Sequence, residues 1–337
     1  MEQLIYTKGG YTIMKKVLLA ALVIVLSFAG SSFGADWPAK TVNVVLPYGA
    51  GGDTDTYCRQ LFQRVSKITG QTFVVINQQG GSGIVAAMDV MNKPNDGYTL
   101  LFNHTGAALV QEATGMVDFS YTKDFENCCT VAIDETYSLV AVSPEGEYKQ
   151  YSKGWKTLAD MIDYAKKNPG KVRYSTVFGS TTEYVGTMLE RQADVVFDNI
   201  NVGTSGGERM AAMLGGQVDI LAANYMQVKD YIEKGDLVCL AVMSKARVPG
   251  IDDPTFTELG YDKVVTAKKY EVKFPKGTDK AIVDKLAGIC KQIVLEDKSY
   301  ADVLKVYFAQ PLYRDAEQMN KEDPEEVKEL EAGLAAE

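Results

Sequence analysis

The chain has 337 residues, a formal net charge of −9, and 46% hydrophobic and 23% charged residues. A surface this acidic argues against nucleic acid or anionic lipid as a partner, and the length is enough for two lobes. Five cysteines (Cys58, Cys128, Cys129, Cys239 and Cys290) without CxxC spacing, beside one histidine, His104, argue against a structural zinc site. No metal and no cofactor is expected.

Residues 1–35 read as a secretory signal. Lys15 and Lys16 precede the apolar run VLLAALVIVLSFAG, and SSFGAD supplies small residues for cleavage. The mature chain is expected to begin near Ala35 or Asp36, with Met14 as an alternative start. The apolar run is shorter than the roughly 20 residues of a spanning helix, which favours a cleaved leader over an uncleaved anchor. The leader holds three lysines and one glutamate, a net of +2, so its removal takes the charge from −9 to −11. A soluble protein in the periplasm is the expectation. Export permits disulfides, but the cysteines read as small core residues, with Cys128 and Cys129 pointing to opposite faces of one strand.

After the leader, strand-like and helix-like segments alternate, as in parallel sheets covered by helices. VNVVLPY (42–48) predicts a buried strand, and the helix after it places Tyr57, Leu61, Val65 and Ile68 on one side. FVVIN (73–77), a helix over about 84–91 and YTLLFN (98–103) follow. An extended segment, TVAIDETYSLVAVSP (130–144), leads to a second set of units. There TLADMIDYAKKNPG is a helix stopped by Pro169 and Gly170, and VRYSTVFGSTTEY, DVVFDNINVGTSGG, GGQVDILAANY and DLVCLAVMSKAR each open on a strand. KKYEVKFPKGT (268–278) is extended again, before two C-terminal helices. The acidic end, EDPEEVKELEAGLAAE, reads as a solvated helix or frayed tail. Two extended crossings around a central block predict lobe 1 from residues 36–140 and 265–337, and lobe 2 from residues 141–264.

Ligands of such sheets lie beyond the carboxyl ends of the strands. The first strand runs into Gly49, Gly51 and Gly52, where backbone N–H groups at a helix start suit an anion. Neither phosphate motif fits, because Asp53-Thr54-Asp55 stands where a P-loop has Lys-Ser/Thr and the third glycine of GxGxxG is absent. Similar donor-rich turns occur at 103–106, 179–182 and 203–207. Four such turns converging on one cleft would satisfy a carboxylate with neutral hydroxyl and backbone donors. Each taken alone is equally a helix cap. An exported hydrolase is the alternative of a different class. Against it, His104 is the sole imidazole and no GxSxG elbow accompanies it.

The segments WPAKTVNVVLPYGAGGDTD, NQQGGSG (77–83), KPNDGYTLL (93–101), MLGGQVD (213–219) and AVMSKAR followed by DDPTFTELGY resemble, in order and spacing, the solute receptors of tripartite tricarboxylate transporters, the Bug-type periplasmic binding proteins. The resemblance spans nearly the whole mature chain. It implies an α/β, type II periplasmic-binding-protein fold: two lobes joined by two crossing strands, with a ligand cleft between them. It also implies a monomeric receptor that closes on a small carboxylate (a di- or tricarboxylate, an amino acid or an aromatic acid) and delivers it to membrane permease subunits. Carried over, the ligand-binding residues are Tyr48, Gly51, Gly52, Thr54 and Asp55 of the first turn, with Asp55 matching the aspartate of AGGxxD. His104 with Thr105, the turn of Ser180, Thr181 and Thr182, and Thr204 with Ser205 complete the set. Departures from the family pattern at Gln78, Gln79, His104, Gly203, Thr204 and Glu208 bear on the ligand rather than the fold. A receptor presenting its ligand to a membrane sensor kinase is the alternative within binding proteins.

Overall fold

The computed structural model describes residues 37–335 except Thr204. The expected leader and Thr204 therefore lie outside the described residues. Two sheets organise the chain. The first contains β1 (Val42–Leu46), β2 (Phe73–Asn77), β3 (Thr99–His104), β4 (Phe125–Asp134), β10 (Lys268–Pro275) and β11 (Gln310–Asp315), in the order β11-β4-β10-β3-β1-β2. The second contains β5 (Tyr137–Val142), β6 (Val172–Ser175), β7 (Phe197–Ile200), β8 (Ile220–Asn224) and β9 (Leu237–Val242), in the order β7-β6-β8-β5-β9. In each, a parallel trio (β2-β1-β3 and β7-β6-β8) carries the helix-linked units, and the crossing strands join it antiparallel.

The parallel trios follow from their sequences. VNVVL of β1 is buried at all but Asn43, as a central strand covered on both faces requires. The helix after it, α1 (Asp53–Thr69), buries Tyr57, Cys58, Leu61, Phe62 and Val65 and ends at Gly70 in the left-handed region. Ile68, expected on that buried side, is 50% exposed, because the packed stripe runs through Cys58 and Phe62 instead. Each sheet has an apolar cluster on either face, one pair built around Phe102 and Leu101, the other around Tyr174 and Leu221. Each large apolar side chain so buried contributes about 1.5–3 kcal/mol.

The chain passes between the sheets twice, through residues 135–136 after β4 and through residues 243–267 before β10. Position 140, the expected edge of the first lobe, lies inside β5, which pairs with β8 and β9 of the second sheet. All five cysteines are buried and free. Cys128 and Cys129 do not alternate as expected: a bulge leaves Cys128 without a partner between Val272↔Cys129 and Lys273↔Asn127. Both thiols consequently face α8 (Lys280–Glu296), Cys128 on the Val283 carbonyl and Cys129 on Cys290.

The C-terminal region departs from expectation most. After α8 come α9 (Lys298–Val306), β11 and the helix α10 (Ala316–Ala335), so a strand and a third helix stand where two helices were predicted. QPLYRD hides β11 because its proline and polar residues suit only an edge strand. Nor is α10 a frayed tail. Met319, Asp323 and Val327 are buried, Asp323 accepts a hydrogen bond from the buried Arg314 at 2.8 Å, and Arg191 of the second lobe donates to the Gly333 and Leu334 carbonyls. The acidic segment thus neutralises an interior cation and straps one lobe to the other.

Candidate functional site

A cleft of about 410 Å³ lies between the sheets, at the carboxyl ends of β1, β3, β6 and β8. Tyr48, Gly51, Gly52, Thr54 and His104 line its first wall; Ser180, Thr181, Thr182 and Ser205 line the second. Of the other expected residues, Asp55 and Thr105 are not part of that lining. Asp55 sits behind the glycine turn, where its carboxylate accepts from the Gly51 N–H at 3.0 Å and from Asn77 Nδ2 at 2.9 Å. Burial opposes its charge, yet hydrogen bonds from Arg59, Gly51 and Asn77 hold its carboxyl below the usual range. It shapes the loop. Thr105 donates to the Ala267 carbonyl and accepts from the Lys269 N–H, tying the start of α3 (Thr105–Ala113) to the returning crossing.

The second-wall turn is held by its own hydroxyls. Ser180 Oγ donates to the Val177 carbonyl at 2.7 Å and accepts from the Thr182 N–H, capping α5 (Thr181–Ala193), while Thr182 Oγ1 accepts from the Val177 N–H. Thr181 lines the cleft outside that network. Ser205 and Glu208 form a reciprocal capping box at the start of α6 (Gly206–Leu214). The walls touch at one rim, where Gln111 Nε2 donates to the carbonyls of Ser82 and Gly179, and Ser82 Oγ donates to the Phe178 carbonyl at 3.2 Å.

Charged groups that sequence reasoning did not select occupy the floor. Lys268, the first residue of β10, reaches Asp53 at 2.6 Å; the Tyr270 hydroxyl and the Thr54 N–H donate to the same carboxylate at 2.9 and 2.8 Å. Lys268 also lies 3.9 Å from Asp134, which accepts from Thr136 and from Asn224 Nδ2. Burial alone would push the Asp53 carboxyl up, but the Lys268 ammonium holds it far below the carboxylate range. Lys268 is in turn held above its ordinary value by Asp53 and Asp134, against its own burial. These residues link both crossings to the first wall.

His104 stacks on Tyr48, with ring centroids 4.8 Å apart and planes within 6°. Burial, reinforced by the Lys268 charge, pushes the imidazole down to about 3, so it is neutral at physiological pH. Its Nδ1 and the Tyr48 hydroxyl are buried without a partner, and both residues line the cleft. On the opposite wall Arg209 is only 5% exposed. Its Nη1 donates to the Ala222 carbonyl at 2.7 Å, its Nε is buried without a partner, and it makes no ion pair among the described residues. The signal for Arg209 was its position: a lone cation between a glycine turn and the apolar run MAAML. Lys268 offered no such signal, since its partner is 215 residues away.

A buried, unpaired guanidinium beside a cleft calls for an anion, because an uncompensated interior charge is costly and a carboxylate matches its fork. Among the described residues no nucleophile–base pair is assembled there: the neutral His104 faces Tyr48 and Tyr270.

Known proteins resemble the chain over most of its length. Residues 57–333 match the family described as the tripartite tricarboxylate transporter family receptor. The chain is 31% identical to a UPF0065 protein from the gbd 5′ region of Cupriavidus necator, over 88% of this chain and 87% of that one. It is 30% identical to protein BugT of Bordetella pertussis, over 79% and 81%. An R. palustris protein solved with adipate superposes with a TM-score of 0.76 at 26% identity, covering 89% of this chain and 97% of that one.

Proposed function

The chain belongs to the tripartite tricarboxylate transporter family of receptors, and from that premise we propose that it takes a small carboxylate into the cleft and delivers it, in the periplasm, to the membrane permease subunits of such a transporter. Membership of a family of transport receptors favours neither the hydrolase nor the sensor-kinase alternative. The observation that carries the reading is Arg209, a buried cation on the cleft wall with no counter-charge among the described residues. The adipate held by the R. palustris relative supports the same ligand class.

In this reading Arg209 and the N–H groups at the start of α6 take the carboxylate, with Thr181 and Ser205 beside it. Asp55 and the Ser180–Thr182 network keep the two loops in shape. The crossings at 135–136 and 243–267 act as the hinge, and the ligand shifts the lobes towards closure by its preference for the closed cleft. Micromolar binding requires about 8 kcal/mol, which a charge-assisted pair supplies in part once closure has excluded water. Titration calorimetry of the leader-free protein with mono-, di- and tricarboxylates tests this. At least one acid should bind with micromolar affinity and lose it in Arg209→Gln; silence across the whole panel would refute the reading.

A further inference from the structure

The charges lining the cleft do not suit every small acid equally. Among the described lining residues, Asp53, Arg209 and Lys268 carry formal charge. Asp53 and Lys268 neutralise each other at 2.6 Å, and Tyr270 and the Thr54 N–H fill further lone pairs of the same carboxylate. That N–H belongs to the first turn of α1, so a carboxylate of the chain itself already stands where the first wall would accept an anion. What this wall leaves open is uncharged: the Tyr48 hydroxyl and His104 Nδ1, both buried and without a partner. Arg209 alone, on the other wall, has charge to spare.

We propose that the cleft selects monoanions, one carboxylate meeting Arg209 and an uncharged hydrogen-bonding head, such as a hydroxyl, meeting Tyr48 and His104. Asp53 acts as a built-in anion that keeps out a second carboxylate by occupying the donors it would need: the Lys268 ammonium, the Tyr270 hydroxyl and the Thr54 N–H. An ammonium head is disfavoured as well, because Lys268 already holds the position next to Asp53. This inference rests on the carboxylate reading above and narrows it to one class of acid.

Matched ligand pairs test it by calorimetry on the leader-free protein: 4-hydroxybutyrate against succinate, 6-hydroxyhexanoate against adipate, and 4-(hydroxymethyl)benzoate against terephthalate. Each pair differs only in replacing one carboxylate by CH2OH. The hydroxy acid should bind at least about tenfold more tightly in every pair that binds, and Arg209→Gln should weaken both members. Asp53→Ser should shrink or reverse the preference. Should that variant fail to fold, the Asp53→Ser/Lys268→Met double variant, which removes both charges, should shrink it in the same way. A diacid that binds the wild type as well as its hydroxy partner overturns the selectivity and leaves the carboxylate reading standing, as does a preference unchanged without Asp53. Heat from neither series overturns the carboxylate reading itself, and this inference with it.

Discussion

The two walls of the cleft handle charge in opposite ways. On the first, Asp53, Lys268, Tyr270 and Asp134 satisfy one another across 3.9 Å or less, and the neighbouring His104 is kept neutral. On the second, Arg209 is as buried as Lys268 but has only a backbone carbonyl as hydrogen-bond partner among the described residues. Self-satisfied charge fixes shape: it ties the first loop to the crossing strand and gives that wall its rigidity. Unsatisfied buried charge costs stability and calls for an anionic partner. Under the proposed function the division suits a receptor that must bind and then release, because the wall proposed to exchange ligand is not the wall proposed to anchor the hinge.

The contrast can be broken most forcefully at Lys268. Lys268→Met strands the half-buried Asp53 and the buried Asp134 and should cost about 3–5 kcal/mol in urea denaturation, whereas Arg209→Met removes a charge with no ion-pair partner among the described residues and should leave stability unchanged or raised. Equal losses in the two variants would show that both walls are structural. Next in size, Arg209→Gln should weaken carboxylate binding by about 2–5 kcal/mol, measured by calorimetry, with little change in melting.

A pH series sharpens the comparison further. The His104 imidazole is pushed from its ordinary 6.5 to about 3 in the folded protein, so between those values the unfolded chain binds the extra proton. Stability from this source is fully present above pH 6.5 and is lost as pH falls towards 3, by up to about 1.4 kcal/mol per pH unit. Replacing His104 by Asn should flatten that limb; an unchanged slope would mean that other groups govern it. The smallest effect is expected in the glycine turn. Gly51 has φ +82°, so Gly51→Ala should cost about 1 kcal/mol in stability. A methyl at Gly52 would meet nothing closer than the Gly49 carbonyl at 3.7 Å, so Gly52→Ala should be near neutral.

What the sequence reveals follows the range of the interactions. The strand–helix alternation, the glycine turn after Leu46 and the polar ends of β3 and β6 are local patterns, and the first and second walls could be assembled from them. Ile68 was misplaced because a packed stripe one residue wider than the simple repeat serves α1 equally well. β11 was hidden by Pro311, and α10 looked solvated because the cation that draws Asp323 inward, Arg314, lies on that unrecognised strand. The same holds for the floor of the cleft. Asp53 read as an ordinary acidic residue at a helix start until the fold brought Lys268 against it. Local patterns therefore point to neutral donors for binding, whereas in the proposed function the charges decide which wall takes the anion.

The most direct test is a crystal structure of residues 36–337 with a bound acid. The account predicts a single carboxylate within hydrogen-bonding distance of Arg209 Nε, with the Asp53–Lys268 pair intact beneath it. A ligand carboxylate seated on Lys268 with Asp53 displaced, or an acid bound away from Arg209 altogether, would contradict it.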